Sequence, residues 1–104
     1  MNVSSYYAAI YNSKILNNTR ILKSDSDVND NLFYFEKATF FDLINNLIYD
    51  NIANMIFKVT KSNNIDILID YFYCQWNFGG CIHFMDIIGV YVIRRFIVDN
   101  NIYS

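Results

Sequence analysis

The chain has 104 residues but no proline, only three glycines, two cysteines and a single histidine. Proline and glycine form most tight β-turns, so their scarcity argues against a hairpin-based β-fold and favours helices. Cys74 and Cys81 are too few for a disulfide scaffold, and their spacing matches no zinc-binding pattern. The low cysteine content also favours a reducing compartment. We predict no metal site, no cofactor and no enzymatic activity, because these side chains cannot assemble a catalytic centre.

Charged residues are scarce as well. They make up 17% of the chain, against about 25% in typical globular domains. The formal net charge is −2, and the eight basic residues are scattered, with only Arg94 and Arg95 adjacent. This distribution lacks the basic patch that nucleic-acid-binding proteins present, so we expect no nucleic-acid partner. We interpret the two arginines as surface residues near the end of a helix.

Apolar residues are abundant instead. Hydrophobic residues make up 54% of the chain and aromatic residues 18%. A domain of this size buries only about 60–65% of its unfolded surface, so we expect apolar surface that a dimer or another partner covers. The run 81–98 is long enough to span a bilayer, but His83, Asp86, Arg94 and Arg95 interrupt it. The sequence therefore predicts a buried helix there and no transmembrane segment.

Helical periodicity is clearest in the middle of the chain. We predict helices over 3–22 and 39–60, separated by an acidic loop at about 23–31. The second helix carries one apolar stripe with steps of three or four residues: Phe41, Ile44, Ile48, Ile52, Met55 and Val59. Both helices belong to a single domain, 1–104, in which we find no internal repeat.

The segment 65–72 fits two structures. Its apolar residues alternate as in a strand, yet Ile65, Leu68, Ile69 and Phe72 also fit one face of a helix. The helical neighbours favour the helix. The apolar run at about 77–98 then predicts a central helix surrounded by the others. All three glycines lie within 77–89, where helix stability suffers, so we expect something to approach the backbone closely there.

The residues around these glycines resemble the first homology motif of the Bcl-2 family. That motif places Asn-Trp-Gly-Arg before an apolar helix with Phe-Phe-Glu and a glycine pair. Here Asn77 and Gly79 match, and Phe78 replaces the tryptophan. Three further positions fall in register: Phe84, Asp86 and Gly89. The match covers about eighteen residues, and the Ile-, Asn- and Tyr-rich composition is most similar to the viral, poxvirus-type members.

The resemblance implies an all-α, Bcl-2-like bundle of four to five helices, truncated, around the central helix. It also implies a viral inhibitor of apoptosis that binds BH-3 helices of host pro-apoptotic proteins in a hydrophobic groove. Such a protein would act in the host cell cytoplasm, or at the mitochondrial outer membrane through its partners. The expected ligand-binding residues are Asn77, Phe78, Gly79, Phe84 and Asp86, with Ile44, Ile48, Ile52 and Met55 in support.

Two departures from the family leave other functions open. Gly80 occupies the position of the arginine that pairs with an aspartate of the ligand helix, so a charge-assisted bond is lost. The chain also ends where the central helix ends, whereas the family has further helices. The alternatives are a Bcl-2-like decoy of innate immune signalling that acts through helical faces, and a truncated, self-associating remnant without a ligand. A homodimer would cover the bare flank of the central helix.

Overall fold

The computed structural model describes residues 2–4, 7–19, 31–99 and 101, and the regular structure in these residues consists of β-strands. They form one curled sheet whose strand pairs are all parallel. The strands in chain order are β1 Asn2–Ser4, β2 Tyr7–Tyr11, β3 Lys14–Leu16, β4 Asn31–Glu36, β5 Phe40–Tyr49, β6 Ile52–Gln75 and β7 Phe78–Asp99.

The register shows that the chain winds as a coil. β7 begins beside the start of β6, where Phe78 pairs with Ile52, and ends beside its end, where Asp99 pairs with Gln75. Fully extended, the 24 residues of β6 would span about 80 Å. The molecule measures only 31 × 31 × 17 Å, so each long strand bends round until the next one lies on top of it.

We number the turns of this solenoid by their strands. Coil 1 contains β1 to β3, coil 2 contains β4 and β5, coil 3 is β6 and coil 4 is β7. Neighbouring strands lie about 4.8 Å apart, so four stacked coils span about 14 Å between backbones, close to the 17 Å dimension.

The coils bend at stacked corners. Non-glycine residues with positive φ are uncommon, yet here they recur at equivalent positions of successive coils. Three rows of such corners run along the solenoid: Asn12, Asn45, Tyr71 and Arg95; Asn17, Asp50 and Trp76; and Lys37, Lys61 and Asp86. Each corner residue turns the strand and shifts the alternation of inward and outward side chains by one position.

This shift gives the core its sequence pattern. In coil 2, the buried inward residues step by two within a face and by three across a corner. Stacking places these positions in rows: Ala8, Phe41, Ile67 and Tyr91; Ile10, Leu43, Ile69 and Ile93; Ser13, Asn46, Phe72 and Phe96; and Ile15, Ile48, Cys74 and Val98. The centre of the core is the fully buried part of these rows in coils 2 and 3.

The prediction of an all-α, Bcl-2-like helical bundle is therefore wrong. Strands replace the predicted helices over 39–60 and 77–98 and the described part of 3–22, and no described residue is helical. The physical reason is the spacing of the inward residues, which alternates between two and three positions along the chain. These steps add up to seven between Phe41 and Ile48, and seven residues are also about two turns of an α-helix. Phe41, Ile48 and Val59 of the predicted stripe are buried, but Ile52 is exposed.

The coil bears on two other expectations from the sequence, and a third concerns residues that are not described. The strand alternative for 65–72, which we ranked second to the helix, is the observed structure. No internal repeat was found in the sequence, and the structure shows that the coils nevertheless stack as repeated units of irregular length. The acidic loop predicted at about 23–31 lies outside the described residues, apart from Asn31, which begins β4.

Candidate interaction surface

An asparagine row holds coil 4 in register with the coils beneath it. The row consists of Asn18, Asn51, Asn77 and Asn101, one from each coil. Asn77 Oδ1 accepts from the backbone N–H and the Nδ2 of Asn51, at 3.0 and 2.9 Å. Asn101 Oδ1 accepts in the same way from Asn77, at 2.9 Å for both donors. Buried amides bonded to the next coil fix the stacking, because a shifted coil would leave them unsatisfied.

Two glycines let coil 4 approach coil 3 closely. A Cβ on Gly79, whose φ is +122°, would collide with the backbone oxygen of Ala53. A Cβ on Gly89 would collide with the oxygen of Ile65. The expectation that something approaches the backbone at these glycines is confirmed, and the approaching group is the preceding coil.

A disulfide joins Cys74 at the end of coil 3 to Cys81 near the start of coil 4. The two Cα atoms are 6.4 Å apart, and both residues are buried. This bond was not predicted from the sequence, in which two cysteines were judged too few for a disulfide scaffold. Neither sulfur is a free nucleophile, since the bond joins them to each other.

Asp70 binds two arginines of the terminal coil. Arg94 donates to Asp70 Oδ2 at 3.0 Å, and Arg95 donates to both carboxylate oxygens at 2.8 and 2.7 Å. The guanidinium of Arg95 also stacks on the Tyr71 ring, 3.8 Å from its centroid. The hydrogen bond from Arg95, together with the positive charges of both arginines, lowers the pKa of Asp70. The arginines therefore anchor coil 4, and their predicted place at a helix end is wrong.

The inward rows become exposed in coil 4. Tyr91, Ile93, Phe96 and Val98 are 72%, 40%, 38% and 42% exposed. Their register partners in coil 3 are Ile67, Ile69, Phe72 and Cys74, which are 6% exposed or less. The Phe96 ring stacks on Phe72 at 5.1 Å, so its lower side is covered and its upper side is open. Coil 4 is the last coil that the structure describes, and no described residue covers its core layer.

The backbone of this coil is open as well. Among the described residues, β7 pairs with β6 and with no other strand. Its other edge offers unpaired N–H and C=O groups along a strand that carries no proline and no lysine, the residues that often protect such edges. We call residues 87–94 the open edge; this segment runs between the corners at Asp86 and Arg95.

The charges of β7 as a whole are balanced. β7 contains two acidic residues, Asp86 and Asp99, and two basic residues, Arg94 and Arg95. Its apolar residues are strongly exposed beyond the inward rows too, with Ile88 at 68% and Val90 at 66%. This surface fits an apolar partner with few charges, and it does not favour a strongly acidic or basic one.

The structure gathers some of the predicted binding residues and separates others. Phe78 of coil 4 pairs with Ile52 of coil 3, and Gly80 of coil 4 lies beside Met55 of coil 3. Asn77 is buried inside the asparagine row and does not cap a helix. Gly79 is likewise buried.

The remaining predicted residues do not form one wall. Phe84 contacts Phe41 edge-on, with ring centroids 6.1 Å apart, and Asp86 occupies an exposed corner. Ile48 is fully buried, whereas Ile44 is only half-buried. The exposed inward residues of coil 4 were not among the predicted binding residues, although the strand-like alternation from Gly89 to Ile93 was visible in the sequence.

A second polar cluster lies on the outer face of coils 1 and 2. Tyr7 and Tyr11 donate their hydroxyls to Asp42 Oδ2 at 3.2 and 3.1 Å, and the two hydroxyls are 3.1 Å apart. The bond to Tyr7 and the neighbouring Asp42 carboxylate raise the pKa of Tyr11. The raised pKa keeps the Tyr11 hydroxyl protonated near neutral pH, and the hydrogen bonds of the cluster link two coils.

The described residues contain no cluster of metal ligands. There, no three side chains of His, Cys, Asp or Glu come together to hold a metal ion. None of the described segments is a helix with the length and apolarity that a bilayer span requires.

Comparison of the chain with models of known families, with curated proteins and with solved structures found no match. The resemblance to the Bcl-2 family therefore stays a prediction from the residues of the motif. The helical architecture that the resemblance implied is the part that the structure overturns.

Proposed function

We propose that this chain is a non-catalytic interaction module that binds an extended segment of a partner along the open edge of coil 4. In this mode, called strand addition, the partner forms main-chain hydrogen bonds with an unpaired edge while its side chains pack on the neighbouring surface. The observation that carries the proposal is the strong exposure of inward, core-type residues in coil 4, whereas the described coils 1 to 3 bury or half-bury theirs.

The open edge provides both components that strand addition needs. Its backbone groups are available over residues 87–94, and a continuous apolar surface lies beside them. The asparagine row, the disulfide and the Asp70 cluster hold coil 4, which carries this edge, firmly on coil 3. A rigid template reduces the entropy lost on binding, which improves affinity.

Binding of BH-3 helices, and with it a role in apoptosis in the host cytoplasm or at mitochondria, is a second proposal that rests on the motif. The described residues form no helical groove, so a BH-3 helix would have to bind the same exposed apolar surface of coil 4. An amphipathic helix fulfils its own backbone hydrogen bonds and would use only the apolar side chains. The two proposals thus differ in whether the partner's backbone takes part.

Fluorescence polarisation tests this difference with three labelled peptides. The first has the sequence of residues 86–95, the second is the same peptide with alternate backbone nitrogens methylated, and the third is a BH-3 helix peptide. We expect saturable binding of the first, weakened at least about tenfold by methylation, because methyl groups remove the hydrogen-bond donors. Equal binding of the methylated peptide, or preferential binding of the BH-3 peptide, would contradict strand addition.

A further inference from the structure

We infer that the partner at the open edge is a second copy of this chain, joined about a two-fold axis so that the two open edges run antiparallel. This inference rests on the proposed function and names its partner. Each copy covers the exposed core layer of the other, and the pairing closes, so no open edge remains.

The unequal ends of the solenoid favour this symmetric arrangement over head-to-tail stacking. Head-to-tail growth needs two exposed apolar ends, one to fit the other. In coil 1, the equivalent inward residues are not open: Ala8 is buried, and Ile10 and Ile15 are half-buried. The strands there are short pieces of three and five residues, whereas β7 is continuous over 22. Among the described residues, coil 4 presents a suitable face and coil 1 does not.

The charges select the antiparallel direction. Asp86 stands at one end of the open edge, and Arg94 and Arg95 stand at the other. Antiparallel pairing brings Asp86 of each copy to the arginines of the other, so both ends of the edge gain an opposite charge. Parallel pairing would place like charges together. The zero net charge of β7 removes any general repulsion between two identical faces.

The size of the end face also suits a dimer. A disc 31 Å across has an area of about 750 Å². Stable protein–protein interfaces bury about 800 Å² on each partner, so a second copy seated on coil 4 reaches the standard size. The face is apolar at its centre and charged at its rim, as such interfaces are.

Sedimentation velocity over a concentration series tests the dimer with the full chain. We expect a species of about 25 kDa, twice the 12.3 kDa chain mass, that dissociates on dilution. Tyr91→Lys should raise the dimer dissociation constant at least about thirtyfold, because it buries a charge at the centre of the face. Tyr7→Lys is the matched control, since Tyr7 is also more than half exposed but lies on coil 1, and it should leave the constant unchanged. Far-UV circular dichroism and melting curves establish that both variants fold.

A cross-linking experiment tests the symmetry. With Cys74 and Cys81 joined to each other, a cysteine introduced by Tyr91→Cys lies near the two-fold axis and should cross-link to its own copy under mild oxidation. A cysteine introduced by Ile88→Cys lies away from the axis and should cross-link far less. Self-cross-linking at both positions or at neither overturns the antiparallel dimer, and so do open-ended polymers.

The outcomes separate this inference from the proposed function. A chain that remains monomeric at about 100 μM while it binds the unmethylated peptide overturns the dimer and leaves strand addition standing. A chain that neither dimerises nor binds the peptide overturns both. A dimer that is unaffected by Tyr91→Lys uses another surface and also contradicts the inference.

Discussion

Coils 3 and 4 of this solenoid share two stacked corners and the same inward rows, yet one is the centre of the core and the other is the surface. Phe72 is fully buried, and Phe96, which stacks directly on it, is 38% exposed. The difference lies entirely in whether another coil covers the row. Repeat folds bury each unit against its neighbours, so the end unit carries core residues without a cover unless its sequence is adapted to solvent. Coil 4 is not so adapted, and this is why we assign the interaction to it.

The largest contrast should come from truncating the stacked phenylalanines. Phe72→Ala removes a fully buried ring and should lower the free energy of unfolding by about 3–5 kcal/mol. Phe96→Ala removes a ring with one open side and should cost less than half of that in dilute solution, where the chain is monomeric. Urea unfolding of both variants measures the two values. Equal losses would show that coil 4 is already covered in the monomer.

The asparagine row should show a smaller contrast. Asn77→Ala removes the acceptor for two donors of buried Asn51, and we expect a loss of about 2–3 kcal/mol. Asn101→Ala removes the equivalent acceptor for Asn77, but Asn101 is only half-buried. We therefore expect a smaller loss of about 1 kcal/mol in the free energy of unfolding. Thermal and urea unfolding provide the comparison. A larger loss at Asn101 than at Asn77 would contradict the proposed order of the coils.

Reduction of the disulfide should loosen the junction between the two coils. The Cys74–Cys81 bond closes a loop of about eight residues, for which the chain-entropy model gives about 2.5 kcal/mol. Unfolding with and without a reducing agent measures this loss. The double variant Cys74→Ala/Cys81→Ala is the control, because its stability should not respond to the reductant. An identical response in both proteins would refute the cross-link.

The smallest effect should be a pH dependence from Asp70. Because the arginines lower the pKa of this carboxyl, the ionised form stabilises the fold above its unfolded pKa of about 4, and this contribution is lost as the pH falls through the lowered value. Asp70→Asn should therefore flatten the decline of the melting temperature below about pH 4. Melting curves from pH 7 to pH 2 compare the variant with the parent chain. Parallel curves would show that the Asp70 cluster does not stabilise the contact between the coils.

Part of this architecture could be predicted from the sequence. The alternation over 65–72 indicated a strand, and the glycines indicated a close backbone approach that Gly79 and Gly89 do make. The excess of apolar residues indicated uncovered surface. Each of these signals is local or compositional, and each depends on a few neighbouring residues.

The rest depends on contacts between distant residues. Parallel pairing joins positions 24 to 33 residues apart, so no local window contains both partners. The corners convert a period of two into mixed steps of two and three, which imitated a helix around Ile44 and Ile48. The asparagines at 18, 51, 77 and 101 did mark the coils, but their spacings of 33, 26 and 24 residues are too irregular to register as a repeat.

Hydrogen–deuterium exchange, read by mass spectrometry at two protein concentrations, tests whether a second copy covers the open edge of coil 4. We predict that backbone amides of β6 stay protected at both concentrations, because coils on both sides cover that strand. Within residues 87–94, the alternate amides that point away from β6 should exchange quickly in the dilute sample and become protected in the concentrated one, whereas the amides bonded to β6 stay protected in both. Exchange of those alternate amides that is slow in the dilute sample, or unchanged by concentration, would contradict an open edge that a second copy covers.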